Sequence, residues 1–176
     1  MQYSLIGVEK KTADGILMVN MDSQAPNKVV GEALENGNIR LEGMSRLTTI
    51  RPEKTFGQSR FDFYVEDEDG RTAYIEVKGV TLEEEGIVRF PDAPTERGVK
   101  HINELVDAAS AGYRAYIIFV VQMKGMKEFR PNDKTHPEFG EALRRASADG
   151  VYVLAYQCIV MPDSVNIYAT LTVKLE

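Results

Sequence analysis

Asp62, Glu76 and Lys78 are the residues of this chain whose types and spacing could do chemistry. They lie on two segments in which apolar and polar residues alternate. In the first, Phe61, Phe63 and Val65 alternate with Arg60, Asp62 and Tyr64; in the second, Ala73, Ile75 and Val77 alternate with Tyr74, Glu76 and Lys78. A period of two marks half-buried strands, and the acidic, glycine-bearing residues 66–70 between them suit a hairpin connection. A hairpin centred near Asp69 sets Phe61 opposite Val77 and Phe63 opposite Ile75, so that both apolar sets face one core. The same register sets Asp62 opposite Glu76. Two carboxylates about 5 Å apart repel by about 3 kcal/mol at an effective dielectric of 20, more than the roughly 1 kcal/mol of an ordinary cross-strand pair. A shared proton, neighbouring cations or a bound divalent metal must offset that repulsion.

Two readings of these charges compete. In one they form a solvated ladder of surface salt bridges, since Arg60 and Lys78 share the face of Asp62 and Glu76. The register opposes it, because Arg60 then falls opposite Lys78 and like faces like in both rows. In the other reading Asp62 and Glu76 are ligands of Mg²⁺, with Mn²⁺ as an alternative, and the carbonyl of Val77 is a third ligand. Mg²⁺ takes hard oxygen donors and keeps waters and substrate phosphate in its shell. Such an ion acidifies a bound water and neutralises charge on phosphorus oxygens, and Lys78 beside it could orient the nucleophile or stabilise the transition state.

Elements must hold these groups. Residues 3–8 and 15–20 read as two short strands joined by a turn at residues 12–15. Pro26 opens a helix with Val29, Val30, Ala33 and Leu34 on one face and Gly37 as a left-handed cap. Glu32 lies off that face; if the helix packs on the sheet, Glu32 could bind the metal through water. Beyond Gly79, residues 81–82 and 87–90 suit a further hairpin. A long helix follows, with Val99, Ile102, Val106 and Ala109 as its apolar stripe and Gly112 as its stop. Residues 114–121 form an apolar strand of the kind covered on both faces. A second amphipathic helix carries Phe139, Ala142, Leu143 and Ala146 before strands at 151–160 and 167–175. Strand, helix, strand, helix, strand implies parallel crossovers in an α/β fold.

At 176 residues and 43% hydrophobic content the chain suits one compact domain. Its longest apolar run, 115–121, falls far short of the roughly 20 residues that span a bilayer, and residues 1–11 do not resemble a signal peptide. A cytoplasmic protein with no membrane partner is expected. The single cysteine, Cys158, lies in an apolar run and reads as a buried, inert thiol. A net charge of −6 argues against coating nucleic acid by electrostatics alone, so any such binding must be local. One local candidate is the segment from Arg40 to Arg60, where five cations face two glutamates, although a solvated surface explains such runs as well.

An aspartate on one hairpin strand and Glu-x-Lys on the next, after a glutamate-bearing helix and before an αβ crossover, resembles the PD-(D/E)xK nuclease superfamily. That motif is short. Longer runs are similar to the sugar fermentation stimulation protein family: Ser59-Arg60-Phe61-Asp62-Phe63, Tyr74-Ile75-Glu76-Val77-Lys78-Gly79-Val80-Thr81-Leu82, and Phe90-Pro91-Asp92-Ala93-Pro94-Thr95-Glu96-Arg97-Gly98 with Lys100-His101. Pro26-Asn27, Glu32-Ala33-Leu34, Phe119-Val120-Val121-Gln122 and Ala155-Tyr156 also match, so the likeness covers about residues 15–160.

The resemblance implies a restriction-endonuclease-like domain, three layers α/β/α around a mixed central sheet, at residues 23–176. It implies an OB-like barrel before that, of which residues 1–22 look like the last hairpin and linker. It further implies non-specific DNA binding and a regulatory role in sugar, particularly maltose, metabolism. Arg97, Lys100 and His101 carry over with the motif, and their i, i+3, i+4 spacing puts them on one helix face suited to phosphates. Arg60 and Gln122 complete the expected nucleic-acid contacts, Gln122 either entering the site or satisfying a loop, whereas His136, in a loop before a proline, is expected to be exposed. Three functions follow: a metal-dependent nuclease on DNA or RNA, a DNA-binding regulator without turnover, and a scaffold whose charges are incidental. The apolar final strand could pair with a second copy to form a homo-oligomer.

Overall fold

The computed structural model describes residues 6–176 of the chain. Strands β1 (Gly7–Thr12) and β2 (Gly15–Asn20) form an antiparallel hairpin that is a sheet of its own. The first expected strand is shifted toward the turn; its residues 3–5 lie outside the described part. Helix α1 (Ala25–Glu35) follows, with Pro26 in its first turn and Val29, Val30, Ala33 and Leu34 all buried. Gly37, at φ +78°, takes the left-handed position just beyond its end.

Strands β3 (Leu47–Phe56), β4 (Ser59–Asp67) and β5 (Thr72–Val80) make an antiparallel meander. The short strands β6 (Leu82–Glu84) and β7 (Ile87–Phe90) form the expected next hairpin. Then come α2 (Glu96–Ser110), β8 (Arg114–Val121), β9 (Glu128–Pro131), α3 (Pro137–Ala148), β10 (Tyr152–Met161), β11 (Ser164–Thr170) and β12 (Thr172–Val173). The central sheet runs β11-β10-β8-β5-β4-β3, with β5, β8 and β10 parallel and the outer pairs antiparallel. Its two faces are covered by different helices. On one, Val30 and Leu34 of α1 share a core with Ile75, Tyr116 and Ile118; on the other, Ile102, Leu105, Phe139 and Leu143 of α2 and α3 pack with Ile117, Phe119 and Val121. This is the expected three-layer α/β/α architecture, and β8 at its centre is buried from Ala115 to Val121.

Three expectations need correction. The last strand is not continuous over 167–175: β11 pairs antiparallel with β10 and ends at Thr170, and the chain then crosses to β12, in a second sheet of order β12-β9-β7-β6. The buried stripe of α2 is rotated from the one expected. His101, Ile102, Leu105 and Ala108 are buried while Val99, Val106 and Ala109 lie at its margins, because His101 finds a buried partner on β5. His136 is buried, not exposed: it starts α3, and its Nδ1 accepts the Thr95 backbone N–H at 3.2 Å.

Candidate metal centre

The site forms where the central sheet splits. Pairing between β4 and β5 has the expected register but stops at Phe63 and Ile75. In place of a further rung, the Asp62 carboxylate accepts the Val77 N–H through Oδ2 at 2.7 Å. The alternation of β4 breaks at the same point: Phe63 faces α1, whereas Phe61 faces α2 and lies against Tyr74 at 5.5 Å and His101 at 6.2 Å. The two phenylalanines therefore serve different cores. Across on β3, Pro52 pairs with Phe63 and Lys54 with Phe61, and Glu53 between them sits at φ +55°. A left-handed non-glycine residue directly across from Asp62 marks local strain of about 1–3 kcal/mol.

The two carboxylates have different surroundings. Asp62 Oδ1 accepts the Asn27 side-chain amide of α1 at 2.8 Å. Burial and the neighbouring Glu76 charge push Asp62 above the usual aspartate range, despite its bonds to Val77 and Asn27. Glu76 is only 3% exposed. Its Oε1 accepts from Lys78 Nζ at 2.7 Å and from His101 Nδ1 at 2.5 Å. Burial alone would raise Glu76; the hydrogen bond from His101 and the charge and hydrogen bond of Lys78 outweigh it and hold the group below the usual range. Glu76 Oε2 is buried and has no hydrogen-bond partner among the described residues.

That orphaned oxygen tests whether a divalent cation fits. A buried acceptor left unmade costs about 1–3 kcal/mol, and more when charged, and a cation would remove the cost. The N–H and C=O of one strand residue point to the same edge, so the Val77 carbonyl faces the gap where β4 has peeled away. Asp62, Glu76 Oε2 and this carbonyl are the hard oxygen donors such an ion takes. No cluster of three or more His, Cys, Asp or Glu able to hold a metal occurs among the described residues. Mg²⁺, which uses one or two carboxylates and retains waters, does not require one.

The other expected site residues are dispersed. Lys78, its side chain 17% exposed, belongs to the centre. Glu32 is exposed on another side of α1, where it lines a cleft of about 690 Å³ with the β1–β2 hairpin and the β10–β11 turn. The α1 residue that reaches Asp62 is Asn27, five positions earlier; its place in the Pro26-Asn27 match was the available signal. Arg60, Arg97 and Lys100 are exposed, Arg60 loosely paired with Glu53 at 3.9 Å and Lys100 with Glu104 at 3.7 Å. His101 points inward. Gln122 satisfies a loop: its amide donates to Asn20 Oδ1 at 2.8 Å and to the Asp22 carbonyl at 3.1 Å, tying the N-terminal hairpin to β8 beside a cleft of about 250 Å³ that Asn27, Val77 and Gly79 also line. Cys158 is buried, and burial pushes its thiol up to about 12.

The chain as a whole is similar to known proteins over most of its length. The model of the sugar fermentation stimulation protein RE domain matches residues 24–164. The sugar fermentation stimulation protein homolog of Clostridium beijerinckii is 53% identical over 166 residues, 94% of this chain and 70% of that protein. The homolog of Desulfitobacterium hafniense strain Y51 is 52% identical over 174 residues, 99% of this chain and 72% of that protein. Among solved structures, Pyrococcus furiosus SfsA in complex with Ca²⁺ superposes with a TM-score of 0.81 at 26% identity, covering 96% of this chain and 76% of that one.

Proposed function

The chain belongs to the sugar fermentation stimulation protein family, and on that footing we propose that it is a DNA-binding, nuclease-like protein whose Asp62, Glu76 and Val77 carbonyl hold Mg²⁺, or Mn²⁺, for phosphodiester hydrolysis. The observation that carries this reading is the buried, unpartnered Oε2 of Glu76, a carboxylate whose charge is felt by Asp62 at the split of the sheet. A structural relative solved with Ca²⁺ supports a divalent ion in this fold. When bound, such an ion would neutralise charge growing on a phosphoryl oxygen and activate water.

The chain's own groups divide the remaining work. Asn27 and the Val77 N–H orient Asp62. The Lys78 ammonium is the nearest cation and can turn from Glu76 toward a phosphate. Arg60, Arg97 and Lys100, exposed and at most weakly paired, can grip the backbone of DNA. With a net charge of −6 such a grip must be local, resting on these few cations and not on the charge of the whole molecule.

A second reading, a DNA-binding regulator of sugar metabolism without turnover, is favoured by one observation: Lys78 Nζ is committed to Glu76. Calorimetric titration with Mg²⁺ tests the centre, using the wild type and the Asp62→Asn, Glu76→Gln double variant, with circular dichroism to show that both are folded. Binding by the wild type alone is expected; no binding by the wild type, with or without DNA, would remove the catalytic reading. Cleavage of a plasmid in Mg²⁺ then separates nuclease from regulator, the latter showing salt-dependent, Mg²⁺-independent affinity.

A further inference from the structure

We infer that His101 is a positioning residue for the cation site, holding the Glu76 carboxylate in the rotation that aims Oε2 at the ion, and not a contact for nucleic acid. This rests on the reading of Asp62 and Glu76 as cation ligands. His101 is 6% exposed on the inward face of α2, so its ring is closed to a phosphate backbone. An ionised carboxylate only accepts hydrogen bonds, so the Nδ1 that meets Glu76 Oε1 at 2.5 Å carries the proton.

Two donors converge on Oε1 while Oε2 has none. The two donors fill the lone pairs of Oε1, and Oε2 is left buried with its own lone pairs unmet, which leaves that oxygen to a cation. The two donors also differ in freedom. Lys78 reaches Glu76 from the same strand on a flexible stem, whereas the His101 ring is set edge-on to Phe61 and fixed by the packing of α2. If Lys78 leaves for a phosphate, His101 alone keeps Glu76 in place. Groups that orient a metal ligand in this way change metal affinity by about 10–100-fold when removed.

The test compares His101→Leu, which fills the volume without a donor, with His101→Asn, which keeps a donor near the Nδ1 position. Mg²⁺ affinity is measured by calorimetry, affinity for a double-stranded DNA oligonucleotide in EDTA by fluorescence anisotropy, and folding by circular dichroism. H101L is expected to weaken Mg²⁺ binding about 10–100-fold, H101N to restore most of it, and both to bind DNA in EDTA as the wild type does. Wild-type Mg²⁺ affinity in H101L, or DNA affinity lost in both variants, overturns the assignment while leaving the centre standing. No Mg²⁺ binding by the wild type overturns the centre and the role of His101 with it. Should H101L fail to fold, His101→Gln, whose donor sits one bond too far out, must bind Mg²⁺ more weakly than H101N or the assignment falls.

Discussion

Asp67 organises the turn that brings the two site strands together. Its Oδ1 accepts the backbone N–H groups of Asp69 at 3.0 Å and Arg71 at 2.8 Å; its Oδ2 accepts the Ser45 N–H at 2.8 Å and the Arg71 guanidinium at 3.3 Å. Burial alone would raise this carboxyl, but these donors hold it below the usual aspartate range. A carboxyl depressed in the folded state contributes stability that is present above the unfolded value, about 3.9, and is lost as pH falls through the lower folded value. Asp67→Asn removes that contribution. Thermal melts from pH 7 to pH 2 are expected to show a less stable variant at neutral pH and a gap from the wild type that narrows below about pH 4; a gap independent of pH would show that geometry, not charge, makes the difference. At this scale the sequence is partly legible. Period-two alternation places Asp62, Glu76 and Lys78 near one another because a hairpin is local. Asn27 and His101 reach those carboxylates from helices 35 and 25 residues away, and their inward direction depends on helix rotations that only tertiary packing sets. His101 was legible as a helical residue but on the wrong face, because its polarity argued for water and its partner lay on another element.

Between elements, the close approach of α1 to β5 rests on Gly79. A methyl group there would come within 2.6 Å of Gln122 Oε1 and 2.8 Å of the Pro26 ring. Gln122 is held by its two bonds to the hairpin exit, and a proline ring cannot yield, so the first turn of α1 must move. Asn27, next in that turn, would be drawn from Asp62. Gly79→Ala is therefore expected to cost about 1–3 kcal/mol, as overpacking does, and to weaken Mg²⁺ binding. Urea titration and calorimetry read the two effects; a variant as stable as the wild type would show that α1 has slack against the sheet. The helices and the buried strands were readable from their patterns. Strand β3 was not, for its exposed outer half carries Arg51, Pro52, Glu53 and Lys54 and resembles a solvated loop. Edge strands use such residues to block further pairing, so the charges that hid the strand are part of what makes an edge. The four-residue β9 and two-residue β12 are too short for any period to register.

Across the whole molecule, the second sheet is joined to the central one through aromatic packing. Phe119, at the centre of β8 and fully buried, stacks on Phe129 of β9 at 4.1 Å and meets Phe90 of β7 at 5.6 Å and Phe139 of α3 at 6.5 Å. One ring thus touches both sheets and the helix over them. Phe119→Ala leaves a cavity that its neighbours, each fixed by its own strand or helix, can fill only in part. The expected cost is about 3–5 kcal/mol, a large share of the roughly 5–15 kcal/mol that holds a domain folded. Because the two sheets share this core, the loss should be felt by both: the urea midpoint falls with an unchanged slope, and hydrogen exchange quickens in β5 and β8 as well as in β7 and β9. Faster exchange confined to β6, β7, β9 and β12 would mean instead that the second sheet opens as a unit of its own, leaving the split of the central sheet, and the carboxylates at it, to stand without its support.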